Sequence, residues 1–212
     1  MADAIFGFIG CGNMGGALAT AARKALEGKD ILLANRTPEK AAALAEKLGA
    51  RAVNNDEAAA RSDVLFLADK PQMMANMLAG IRPALAAREK PCVLVTLAAV
   101  LTIAAIRRLA GVEFPVLRIM PNTPAAIGRG RVMCCAAGVD GDALETFRTV
   151  MAGAGALDFV EERLIDAGSA VAGCGPAFAA MLIEGLADGG VACGLPRGKA
   201  MEYAAQIGRA HV

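Results

Sequence analysis

Six residues near the start of the chain, Gly10-Cys11-Gly12-Asn13-Met14-Gly15, constrain its fold more than anything else in it. They fit the pattern G-x-G-x-x-G, and their flanks give the pattern its force. Ala4–Ile9 is an apolar run broken only by glycine, as expected of a strand buried on both faces. Ala17–Leu26 is alanine-rich and reads as a helix. Between strand and helix, the first glycine permits a tight turn and the second lets backbone approach a pyrophosphate. The third allows close helix–strand packing, while the helix N-terminus offers free N–H groups to phosphates. The expectation is a dinucleotide site. The alternative is a glycine-rich turn with a purely structural role.

About 20 residues further on, a dinucleotide site that prefers the unphosphorylated ribose carries an acid. This chain has Asn35-Arg36-Thr37 there, with Lys40 just beyond. The planar Arg36 fork suits a 2′-phosphate, and Asn35 adds a neutral donor. NADP is therefore expected over NAD, with NADPH preferred and NADH possible; the competing reading leaves Arg36 and Lys40 as solvated surface charges.

Strands are expected at Asp30–Ala34, Val64–Ala68, Cys92–Leu97 and Pro115–Ile119, separated by helical segments. The second helix has Thr37 as a candidate cap, Pro38 at its first position and a stop near Gly49. This alternation predicts an α/β, doubly wound, mostly parallel sheet covered by helices on both faces. After about Glu161 strand signals stop, and Ala177–Val191 and Arg197–Gln206 read as helices around a Gly194-Leu195-Pro196 break. The boundary is placed at 158/159, with a small all-helical domain over 159–212.

Composition removes several function classes. The 22 basic and 21 acidic residues give a net charge of +1 with no clustered basic run, so no nucleic acid is expected as partner. The single histidine, His211, argues against histidine triads and histidine-ligated zinc, and no metal site is expected. No C-x-x-C pair occurs among the 6 cysteines, and without a secretory signal at the start they read as reduced thiols in a cytoplasm. Uncharged stretches such as Ala167–Ile183 fall short of the roughly 20 residues of a membrane span, so no membrane is expected.

The chain resembles the pyrroline-5-carboxylate reductase family in a series of motifs running along most of its length. They are Phe8-Ile9-Gly10-Cys11-Gly12-Asn13-Met14-Gly15, Asn35 to Lys40, the Asn54-Asn55 pair and Lys70-Pro71-Gln72. Then come Met120-Pro121-Asn122-Thr123-Pro124-Ala125 and Gly173-Cys174-Gly175-Pro176-Ala177-Phe178. The resemblance implies a Rossmann-type domain followed by a helical domain that forms a homodimer, often assembled further. It also implies reduction of the C=N bond of 1-pyrroline-5-carboxylate to proline by hydride from a reduced nicotinamide. Carried over residue by residue, Gly10, Gly12, Asn13 and Met14 would line the pyrophosphate, and Asn35 and Arg36 the 2′-phosphate. Asn55 would reach the cofactor. Ala68, Lys70 and Pro71 would lie along its ribose and nicotinamide side, bordered by Asn122 and Pro124. A loop of Gly173, Cys174, Gly175 and Pro176 would face the substrate.

Several positions depart from the family pattern. Asp69 stands where an apolar residue is usual, and Cys174 where a serine is. Val100 replaces a glycine and is strained if the turn needs a positive φ. The match stops after Gln206, where Ile207 takes the place of a threonine thought to hydrogen-bond the substrate's ring nitrogen, so no catalytic residue is assigned. Residues 207–212 read as a foreign tail on a truncated, incomplete helical domain. Two other readings therefore stand beside the reductase: another NADP-dependent imine or hydroxy-acid reductase, and an inactive NADP-binding fragment.

Overall fold

The computed structural model describes residues 4–207; His211 and most of the expected tail lie outside them. A single eight-stranded sheet runs in the order β3-β2-β1-β4-β5-β6-β7-β8. Its strands are β1 (Phe6–Ile9), β2 (Ile31–Ala34), β3 (Arg51–Ala52), β4 (Val64–Leu67) and β5 (Val93–Thr96), then β6 (Val116–Pro121), β7 (Gly130–Ala137) and β8 (Gly155–Phe159). β1 through β6 are parallel, β7 is antiparallel to β6, and β8 is parallel to β7. The order reverses direction between β1 and β4, which opens a crevice at the carboxyl ends of those strands.

Alternation along each strand divides the core into two layers. Phe6, Phe8, Val64, Phe66, Val93 and Val95 face one layer, under α1 (Asn13–Ala22), α2 (Pro38–Leu48) and α6 (Gly141–Met151). Ile9, Leu65, Leu67 and Leu94 face the other, under α3 (Asn55–Arg61), α4 (Pro71–Ala86) and α5 (Ile103–Ala110). Each central strand is buried on both faces, which is why it reads as a continuous apolar run.

Some local expectations shift. α1 begins at Asn13, inside the glycine motif, because the Gly16 N–H already bonds the Gly12 carbonyl at 2.8 Å. Thr37 occupies the N-cap of α2 without a side-chain cap bond, while Gly49 closes that helix at φ 63°. β3, β7 and β8 add to the strands expected from the sequence at Asp30–Ala34, Val64–Ala68, Cys92–Leu97 and Pro115–Ile119. Val100 has φ 61°, the only positive value on a non-glycine among the described residues. This is the strain anticipated for a valine at a glycine position.

The helical part comprises α7 (Glu162–Gly168), a π-helical turn at Ser169–Gly173, α8 (Gly175–Ala192) and α9 (Arg197–Gln206). The expected loop at 173–176 is thus part of one helical run, and the Cys174 N–H bonds the Ser169 carbonyl at 3.2 Å. The run Glu162–Ala192 is long and apolar enough to cross a membrane by length and composition, where the uncharged stretches alone had fallen short. On α8 only Ala187 is buried, and Phe178, Met181 and Leu182 are 64%, 68% and 66% exposed. Their i, i+3, i+4 spacing puts them on one helix face.

Candidate functional site

The three fingerprint glycines answer to different demands. Gly10 has φ 105°, and a Cβ there would lie 2.7 Å from the Ala68 carbonyl carbon. At Gly15 a Cβ would meet the Gly10 carbonyl oxygen at 1.9 Å. Both are glycine because the fold itself leaves no room. Gly12 is different: its φ of −76° suits any residue, and a Cβ would meet nothing within 4 Å. Nothing in the protein calls for glycine there. Its bareness keeps open the space in front of the α1 N-terminus, which is the fit a pyrophosphate requires.

Asn35, at the end of β2, fixes this turn. Its Oδ1 accepts from the Cys11 backbone N–H at 2.9 Å, and its Nδ2 donates to the Thr37 carbonyl at 3.0 Å. The Cys11 thiol turns inward and donates to the Ala34 carbonyl at 3.4 Å; burial, aided by the Asp69 charge, pushes it up to about 11. It is a packed thiol and no nucleophile.

Three adjoining cavities form a trough over the strand ends. One of about 610 Å³ lies between α2, β3 and α3 and is lined by Asn35, Pro38, Ala41 and Asn55. Asn54 caps α3, accepting from the Glu57 N–H at 2.8 Å, and so sets Asn55 on that wall. The next, about 410 Å³, holds Gly10, Gly12, Arg36, Lys40, Ala68 and Lys70. Asn35 lines both of these. The third, about 280 Å³, is lined by Met14, Ala68, Lys70, Pro71, Leu97, Met120 and Pro121. Ala68, Asp69 and Lys70 belong to both the second and the third. Leu97 and Met120 were not foreseen; the one signal for them is their position near the carboxyl ends of β5 and β6.

Asp69 brings a carboxylate into the middle cavity, whose other charged residues are Arg36, Lys40 and Lys70. Burial raises its carboxyl above the usual range, and the Arg36 charge opposes that rise.

Of the residues assigned from sequence, Gly10, Gly12, Met14, Asn35, Arg36, Asn55, Ala68, Lys70 and Pro71 all line this trough. Asn13 is exposed in the first turn of α1 and Pro124 sits in a 3₁₀ turn after β6; neither is among the lining residues. Asn122 lines a separate cavity of about 520 Å³ with Arg129 and Arg131. Its amide is committed: Nδ2 donates to the Ala172 carbonyl at 3.0 Å, and Oδ1 accepts from the Arg131 N–H at 2.9 Å. That bond ties the π-helical turn, and with it Gly173–Pro176, to the end of β6 beside Met120 and Pro121. Ile207, at the end of α9, is exposed and offers no polar atom on its side chain.

A second tie lies below. Arg118 on β6 is 1% exposed and bonds Asp166 at 2.5 Å and Glu162 at 3.5 Å, both on α7. Its Nε has no partner, a deficit that costs about 1–3 kcal/mol when buried.

Comparison with known proteins agrees with this geometry. Residues 5–99 match the model of the family described as NADP oxidoreductase, coenzyme F420-dependent, and residues 162–211 match that described as pyrroline-5-carboxylate reductase dimerisation. A pyrroline-5-carboxylate reductase of Escherichia coli is 34% identical over 209 residues, covering 94% of this chain and 75% of that protein. The solved pyrroline-5-carboxylate reductase of Coxiella burnetii superposes with a TM-score of 0.90 at 26% identity, over 98% of this chain and 78% of that one. The Plasmodium falciparum enzyme, solved with NADP bound, gives 0.86 at 26% identity, over 99% and 78%. Motif order, sheet order and relatives agree, and the chain belongs to the pyrroline-5-carboxylate reductase family.

Proposed function

We propose that this chain reduces the C=N bond of 1-pyrroline-5-carboxylate to proline with NADPH as the preferred hydride source. The observation that carries this reading is Gly12. A glycine that its own fold does not require stands at a helix N-terminus in the switch-point crevice, opening onto a trough lined by Arg36, Lys40 and Lys70. A reduced nicotinamide, when bound, supplies the hydride.

The chain's own residues do the rest by binding and orientation. The free N–H groups of α1 receive the pyrophosphate, and Arg36 with Asn35 receives the 2′-phosphate. Asn55 holds the adenosine end. Ala68, Lys70 and Pro71 line the way to the nicotinamide end, where Leu97 and Met120 keep the surroundings apolar. Gly173–Pro176 faces the substrate from the helical run, placed by the Asn122–Ala172 bond. A protonated cyclic imine is already electrophilic, so the reaction needs positioning more than a general base. That fits a trough with no histidine among its described lining residues.

The domain division lies at 158/159, just before the end of β8. The exposed stripe on α8 is the surface on which a second copy packs, giving a homodimer or a larger assembly. Six free thiols suit a reducing cytoplasm. Oxidation of NADPH on addition of 1-pyrroline-5-carboxylate, followed by nicotinamide absorbance with proline measured as product, is the test. Absence of proline formation under saturating NADPH would overturn the reading.

A further inference from the structure

Arg118 is the one charged residue in an otherwise apolar strand, Val-Leu-Arg-Ile-Met-Pro, and it is buried there to 1% exposure. It sits opposite Thr96 on one neighbouring strand and Cys135 on the other. Its guanidinium bonds Asp166 and Glu162, one helical turn apart on α7. Glu162 Oε1 also accepts from the Ile103 N–H at 2.7 Å, so the same carboxylate reaches the start of α5. Stability does not account for this arrangement. Only the guanidinium is buried, Glu162 being 32% and Asp166 61% exposed, and a charge desolvated for partners that reach water, with Nε left without a partner, generally does no better than a well-packed apolar side chain.

Position accounts for it better. α7 buries a single residue, Ile165, so apolar packing alone holds it loosely to the sheet. β6 and the residue that follows it grip the helical run twice: through Arg118 at Glu162 and Asp166, and through Asn122 at Ala172. The π-helical turn Ser169–Gly173 starts just beyond the first grip and holds the second, Ala172, within it, and Gly173–Pro176 follows directly. We propose that Arg118 is a positioning residue of the reductase: through Asp166 and Glu162 it sets where Ser169–Pro176 stands relative to the nicotinamide end of the trough. The proposal rests on the reductase reading for its catalytic consequence, while its structural consequence can be measured without turnover.

Arg118→Met, Asp166→Asn and Glu162→Gln are compared with the unmutated protein by amide hydrogen exchange, NADPH titration and steady-state kinetics. Asp166→Asn is expected to raise exchange at Ser169–Gly175 about tenfold while β1 and β4 keep their protection. The Michaelis constant for 1-pyrroline-5-carboxylate should rise about tenfold, with NADPH affinity held within about twofold; Arg118→Met should lower kcat/KM about 100-fold. A merely structural role would move NADPH affinity and substrate kinetics together. The proposal is overturned if Asp166→Asn and Glu162→Gln leave exchange at Ser169–Gly175 unchanged, or if the loss appears equally in NADPH binding. Should Arg118→Met fail to fold, those two surface-side variants decide the matter. Should the unmutated protein form no proline, the reductase reading falls and exchange alone decides the placement.

Discussion

The sheet domain and the α8 helix are both strongly apolar, yet they meet water in opposite ways. Phe8 and Phe66 stack at 4.4 Å between ring centroids in a core that the chain closes for itself. Phe178, Met181 and Leu182 carry similar side chains on a helix with only Ala187 buried. Burial of such side chains is worth about 1.5–3 kcal/mol each. In the sheet that gain is realised within one chain; on α8 the described residues leave it unrealised. Apolar content alone does not reveal which of the two a segment will do.

The largest effect follows from placing the same substitution in each region. Phe66→Glu buries an unpaired charge in the sheet core and should unfold the protein, with a loss above about 5 kcal/mol. Phe178→Glu should leave the circular dichroism spectrum and melting curve of the sheet domain intact while weakening self-association by about 100-fold, as read by light scattering across a dilution series. If both variants unfold, α8 is covered within the chain and the contrast between the regions is wrong.

Next in size is Gly12→Val, which puts a side chain into the space reserved in front of α1. NADPH affinity should fall by at least about 100-fold, with no change in the melting curve, because the residue meets nothing in the protein itself. Binding should survive Phe178→Glu, since the trough belongs to the sheet domain. Fluorescence titration of both variants checks the two halves of that statement.

Arg36→Ala sharpens the picture further along the trough. Loss of a charge-assisted contact is worth about 1–3 kcal/mol, so NADPH should bind about tenfold or more less tightly while NADH changes little. Equal affinities for the two cofactors in the unmutated protein would remove the role assigned to Arg36. Asp69→Asn should act in the opposite sense. Burial raises the Asp69 pKa above its unfolded value, so the native state holds the proton more tightly and stability declines as pH rises through that window. The asparagine variant should therefore melt higher near neutral pH, with the gap closing as the pH falls to the ordinary carboxylate range.

What the sequence disclosed followed physical regularity. β1, β4 and β5 announce themselves because both faces are buried, and α9 was delimited by Pro196 at its N-cap. β3 has two exposed residues and no apolar run to detect. β8 is an edge strand in which half-buried and exposed residues alternate, whereas β7 does carry an apolar run, Val132–Ala137, after Arg131. α1 starts at Asn13 and not at Ala17, where its alanine-rich stretch begins, because the backbone bonds of the turn override the weak helix propensity of glycine. In the site, Gly10, Gly12, Met14, Asn35, Arg36, Asn55 and Ala68 to Pro71 share one trough, whereas Asn13, Asn122 and Pro124 lie off it. Leu97 and Met120 did not show because only their place near a strand end makes them lining residues. Nor could the sequence tell that the Asn122 amide is occupied by Ala172 and Arg131, since those partners meet it only in the folded chain.

The smallest effect concerns a turn inside the sheet domain, from β5 into α5. Val100 adopts φ 61° and is 74% exposed, so it bears a left-handed backbone without packing to offset it. That conformation costs an L-residue about 1–2 kcal/mol. Glycine would remove the strain but adds about 0.5–1 kcal/mol of chain entropy to the unfolded state. The difference leaves Val100→Gly more stable by about 0.5–1 kcal/mol, which for a chain of this size raises the melting temperature by about 1–4 °C. The Ile103 N–H, three residues on, bonds Glu162, the carboxylate that also faces Arg118. If relief of strain at 100 lets the turn shift, exchange at Ser169–Gly175 would change as well; if the turn is held by its neighbours, only the melting temperature moves. A variant that melts lower than the unmutated protein would mean that Val100 contributes contacts outweighing its backbone strain.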